Sequence, residues 1–152
     1  MIKSSIVITF SIALLAVFSG CTKSSSSTPS MSASVNDTAF SAIGSHVVSV
    51  FGTYTTVSGT NLLVPGTSIN TIISITVKNA IATYTFTEPA GNSNVNIEFS
   101  SPDTKGSPVL ATSGTVTVTN SSSNLIQGTF SCVIADSFGT YTITNGQFTG
   151  TH

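Results

Sequence analysis

The sequence predicts an all-β domain, an antiparallel meander closing as a flattened β-sandwich or barrel. Three observations carry that expectation. Apolar residues recur with period two almost everywhere after Met31, turn dipeptides punctuate the alternation at short intervals, and no helical period follows the first 20 residues. Alternation places one face of each run in a core and the other in water, as half-buried antiparallel strands require. Short connections pair sequence neighbours, hence the meander.

The N-terminus is a different kind of segment. Lys3 supplies a positive start, Ile6 to Phe18 an apolar run, and Gly20 a small residue immediately before Cys21. A spanning helix needs about 20 predominantly apolar residues. This run is shorter and is broken by Thr9, Ser11 and Ser19. Residues 1–20 therefore read as a lipoprotein signal peptide, with Cys21 as the acylated first residue of the mature chain. Phe18 departs from the aliphatic residue usual at its position, and Thr22 gives no Asp retention signal, which favours the outer membrane. Residues 21–30, with Ser24 to Ser27 uninterrupted and Pro29 near the end, form a flexible Ser-rich tether. Residues 31–152 form the single β domain.

Within that domain Ile73, Ile75 and Val77 form one inward set, and Ala82, Tyr84 and Phe86 a second. Val95, Ile97 and Phe99 alternate with Asn96 and Glu98, and Val116 and Val118 with Thr115, Thr117 and Thr119. Ile126, Phe130, Cys132 and Ile134 flank Gly128, and Tyr141 and Ile143 alternate with threonines. Turns are expected at Asn36-Asp37, Ser58-Gly59, Pro65-Gly66, Pro89-Ala90-Gly91, Pro102-Asp103, Lys105-Gly106, Ser121 to Asn124 and Phe138-Gly139. Asn145-Gly146 reads as a type I′ hairpin dipeptide. Roughly eight to ten short strands result.

Met31-Ser32-Ala33-Ser34-Val35-Asn36-Asp37, followed by Phe40, resembles the opening of an uncharacterised family of small Bacteroidota-type lipoproteins. Ile126-Gln127-Gly128-Thr129-Phe130-Ser131 and Ile143-Thr144-Asn145-Gly146-Gln147-Phe148 are similar to its closing segment. The likeness covers the two ends of the domain, and Asp37 stands where the family prefers Gly. It implies an all-β lipoprotein, with no active site to carry over.

Composition narrows function. Past the leader, three lysines face five carboxylates, a net charge of −2, and the chain holds no Arg. That excludes a nucleic-acid surface, which needs clustered Lys and Arg. Cys132 is the one thiol left after acylation of Cys21. It falls between Phe130 and Ile134 on an inward face and reads as a small buried hydrophobe rather than a nucleophile. His46 starts a strand and His152 ends the chain. No spacing suits zinc or calcium, so no metal or cofactor is expected. Glu88 and Glu98 form the one conceivable carboxylate pair, and both fall at solvated positions. The reading is non-enzymatic.

Two binding features remain. Thr83, Thr85 and Thr87, Thr115, Thr117 and Thr119, and Thr140, Thr142 and Thr144 each line one strand face. If those strands adjoin, Thr85, Thr117 and Thr142 mark an uncharged recognition face for a glycan or envelope protein. The competing account is that Thr simply suits an exposed pleated face. The second feature is the interior. A lipocalin-like barrel would carry a small apolar ligand in a cavity lined by Tyr84, Phe86, Phe99 and Phe130, with Leu62 to Val64 and Phe138 near its mouth. Either way the expected setting is the cell envelope, the domain held to the outer membrane by its lipid and facing the periplasm or the surface.

Overall fold

A computed structural model describes residues 28–43, 46–61, 70–87, 94–137 and 139–151. The leader, Cys21, Leu62 to Val64, Glu88, Phe138 and His152 lie outside the described residues. Eleven strands and no helix occur among the described residues: β1 (Ser30–Val35), β2 (Thr38–Ile43), β3 (His46–Phe51), β4 (Tyr54–Asn61), β5 (Thr71–Lys78), β6 (Ala82–Thr87), β7 (Val95–Ser100), β8 (Val109–Leu110), β9 (Ser113–Ser122), β10 (Leu125–Asp136) and β11 (Gly139–Thr151). They form two antiparallel sheets, one of six strands in the order β2-β1-β11-β10-β9-β6 and one of five in the order β3-β4-β5-β7-β8. The domain is sandwich-like and not a closed barrel.

The meander holds only in part. β3-β4-β5 and β9-β10-β11 pair in sequence, but β6 leaves β5 to join the other sheet, so β5 pairs with β7. β11 in turn sits between β1 and β10, tying the two ends of the domain together. The sheets cross rather than run aligned. A Cβ on Gly59 of β4 would lie 2.9 Å from Met31 Cβ, whereas Phe99, two strands away on β7, stacks on Tyr141 at 4.9 Å. Moving across the smaller sheet thus follows β11 of the larger from the Phe148 end, opposite Met31, toward Tyr141, the pattern of orthogonal packing.

The alternating positions face inward as the pattern requires. Ile73, Ile75, Val77, Ile97, Phe99, Val116, Val118, Ile126, Ile134 and Ile143 are all essentially inaccessible. Phe130 and Phe148 lie diagonally across the β10–β11 ladder, each directly opposite a glycine: Phe130 pairs with Gly146, and Gly128 with Phe148. The rings take the space the absent side chains leave, with centroids 6.4 Å apart.

Two turn expectations are corrected. Asn145-Gly146 is no hairpin but the middle of β11, where Asn145 (φ 52°) is an extra residue opposite both neighbours. The left-handed preference that suits Asn to a type I′ turn also suits it to a β-bulge. Ser58-Gly59 likewise lies inside β4, where Gly59 admits the close approach of Met31 and Ala42. Pro102-Asp103 and Lys105-Gly106 do form the expected turns, both within one loop locked by fully buried Thr104. Thr104 Oγ1 accepts from the Ser101 N–H at 2.9 Å and lies within donating distance of Ser101 O and Ser107 O. Asn36-Asp37 does form the expected turn: a two-residue connection with both φ positive (45° and 63°), Asp37 taking the conformation a glycine would.

Candidate functional site

The three threonine runs share one surface, the outer face of the six-stranded sheet. Thr83 pairs with Thr117 and Thr85 with Thr115 across β6 and β9; the hydroxyls approach to 3.1 and 3.5 Å. β10 follows, with Thr129 opposite Thr117 and Ser131 opposite Thr115. The third run lies on the next strand, β11, and Thr142 pairs with Val133 of β10. One row crosses the whole sheet: Thr83, Thr117, Thr129, Gln147, Ser32 and Ser41, each opposite the next. Among the described residues, the outward positions of these six strands hold no Asp, Glu, Lys, Arg or His. The outer face of the other sheet differs. It too is hydroxyl-rich, with Thr56–Thr76 and Ser58–Ser74 bonds of 2.8 and 2.7 Å, but it carries Lys78 and Glu98, the latter accepting from Asn96 Nδ2 at 3.4 Å.

The Asn145 bulge breaks the evenness of the threonine face. At that point a depression of about 330 Å³ opens, lined by Thr115, Thr117, Thr129 and Ser131, the amides of Asn145 and Gln147, and Phe130 and Gly146. Donors and acceptors of both kinds meet there without a formal charge. Sequence reasoning missed the depression because it depends on the bulge.

Among the described residues, the barrel cavity expected as the alternative is not present. Phe86, Phe99 and Phe130 are buried in the packed core, and Tyr84 packs against it half-buried. They do not surround one space: Phe99 pairs with Tyr141, and Phe130 with Phe148, each at a tilt. Side chains of two facing sheets fill the interior because the sheets do not close around a lumen.

Cys132 is buried on the inward face of β10, and desolvation pushes its thiol up to about 12. The nucleophilic thiolate is therefore suppressed at neutral pH. Among the described residues no three His, Cys, Asp or Glu side chains cluster as a metal site would require, and no helix is long and apolar enough to cross a membrane.

A second concave feature, unread in the sequence, lies where the sheets part. The β1–β2 turn and the locked 101–107 loop flank a cleft of about 240 Å³, lined by Val35, Phe40, Phe99 and Tyr141 among the apolar groups and by Asn36, Thr71, Ser101 and Asp103 among the polar ones. Asn36 fixes one wall. Its backbone N–H donates to Thr142 O at 2.9 Å, and its Oδ1 accepts from the Thr142 N–H at 2.8 Å. Burial raises the Tyr141 phenol above its ordinary range, the nearby Asp103 and Asp136 carboxylates add to the rise, and a hydrogen bond with Ser101 opposes it.

No known family, curated protein or solved structure matches the chain.

Proposed function

We propose that this chain is a lipid-anchored cell-envelope protein. Its β domain recognises a neutral partner, a glycan or an envelope protein, through the outer face of the six-stranded sheet and without catalysis. The carrying observation is the continuous uncharged row from Thr83 to Ser41. Strand propensity accounts for threonine at exposed positions. It does not account for the absence of charge from the outward positions of all six strands, the edge strands β2 and β6 included, since edge strands ordinarily carry charged residues to block unwanted pairing; the outer face of the other sheet carries Lys78 and Glu98. The anchor rests on Cys21 behind its apolar leader and on the Ser-rich tether.

Two substitutions test the halves of this reading. Cys21→Ala abolishes acyl labelling and releases a folded protein from the membrane fraction of a competent Gram-negative host; unchanged membrane retention contradicts the anchor. Replacing Thr85, Thr117 and Thr142 together by Lys leaves the fold intact, because outward strand positions tolerate polar change within about 0.5 kcal/mol each. On an array of glycans and envelope proteins, the triple variant loses the partners the native chain captures. Partners that survive the three lysines contradict the face.

A further inference from the structure

The cleft between the β1–β2 turn and the 101–107 loop is separate from the threonine face and has a different chemistry. Its walls are contributed by both sheets: Val35 and Phe40 from β1 and β2, Tyr141 from β11, and Thr71 and Phe99 from β5 and β7. The aromatic groups are core residues whose edges reach the cleft, so its floor is rigid. The 101–107 loop that forms the far wall is held by the buried Thr104 hydroxyl rather than by contact with a ligand. A site formed by packed core and a locked loop is preorganised, which removes much of the ordering cost of binding.

Charge distinguishes what it would hold. The lining includes one carboxylate, Asp103, and no Lys, Arg or His. The Asp136 carboxylate lies close enough to influence the same Tyr141 ring, and it is fixed by accepting from the Gly139 N–H at 3.1 Å. Lys105, on the same loop, is exposed and outside the lining. We propose that this cleft binds a small amphipathic ammonium, its apolar part against Phe40, Phe99 and Tyr141 and its charge toward Asp103. The volume of about 240 Å³ is below that of drug-sized pockets and suits a single ring or short chain bearing an amine. A carboxylate in the wall favours a cation over a neutral or anionic molecule of the same shape.

The test uses the full chain and three probes of one shape and different charge: phenethylamine, 2-phenylethanol and 3-phenylpropionate, followed by ligand-detected NMR titration. The amine binds with a Kd of about 0.1–1 mM, the range open to a ligand of this size, and about tenfold tighter than the alcohol; the carboxylate does not bind. Asp103→Asn, at an exposed loop position, brings the amine to the alcohol's affinity and leaves the alcohol unchanged. Thr71→Trp, which fills the mouth from β5, removes binding of both, and circular dichroism verifies that the variant is folded. The Thr85→Lys, Thr117→Lys and Thr142→Lys triple variant leaves the titration unaltered, so failure of one site is distinguishable from failure of the other. Equal affinity for amine and alcohol, amine binding that survives Thr71→Trp, or no binding by any probe overturns the proposal.

Discussion

Phe130→Ala lowers the stability of the domain by about 3–5 kcal/mol, the usual cost of emptying a fully buried aromatic site. The ring is 4 % exposed, lies on a central strand of the six-stranded sheet, and meets Phe148 at a centroid distance of 6.4 Å. Its removal also uncovers the backbone of Gly146, which the ring covers across the ladder. Cys132→Ala, two residues further on the same inward face, costs about 1 kcal/mol, because it removes one sulfur and leaves the surrounding packing in place. Denaturant melts of the two variants, compared through their midpoints at constant m-value, check the pair. Comparable small shifts contradict the inward assignment of β10, since a one-residue slip in register would exchange its faces.

Gly128→Ala is the second large effect and arises from the opposite cause. A Cβ there would lie 2.3 Å from the carbonyl oxygen of Thr117 and 2.6 Å from Cζ of Phe148. The ring has some freedom to move, but the carbonyl belongs to the β9 ladder and does not. Overpacking a core costs about 1–3 kcal/mol, and a backbone contact puts this variant at or above the upper end. Gly52→Ala is the control. Nothing lies within 4 Å of the added atom, but φ is +61°, so its cost is confined to the left-handed conformation, about 1–2 kcal/mol. Thermal melts that rank Gly52→Ala as the more damaging of the two contradict the close approach of β9, β10 and β11.

Which features were legible in the sequence follows from the range of the interactions that set them. The faces of β5, β7, β9, β10 and β11 were readable because burial of alternating residues is a local pattern, and Ile73, Ile97, Val116 and Ile134 are where it puts them. The transfer of β6 between sheets was not readable. Nothing in Ala82 to Thr87 records whether its partner is β5 or β9, because that choice is made by long-range packing, which pairs it with β9. Asn145-Gly146 misled for a related reason: a hairpin and a bulge make the same demand on one residue, and only the long ladder on both sides of β11 decides between them. The threonine face was legible as three runs. That the runs share one face was set by the order of β6, β9, β10 and β11, a tertiary fact. The edge cleft left no trace, since Asn36, Thr71, Asp103 and Tyr141 are far apart in sequence and meet only where the sheets part.

The central claim is that one face of the sandwich recognises a partner and the other does not. A photo-crosslinking phenylalanine analogue placed at Thr117, within the uncharged row, and in a parallel strain at Ser74, on the outer face of the other sheet, tests this in intact cells. Both positions are half-buried on their own face, so the two probes are equally presented. The account predicts a discrete crosslinked species from Thr117, lost when Thr85 and Thr142 are also replaced by Lys, and none from Ser74. Adducts from Ser74 alone, or the same adducts from both positions, would contradict it.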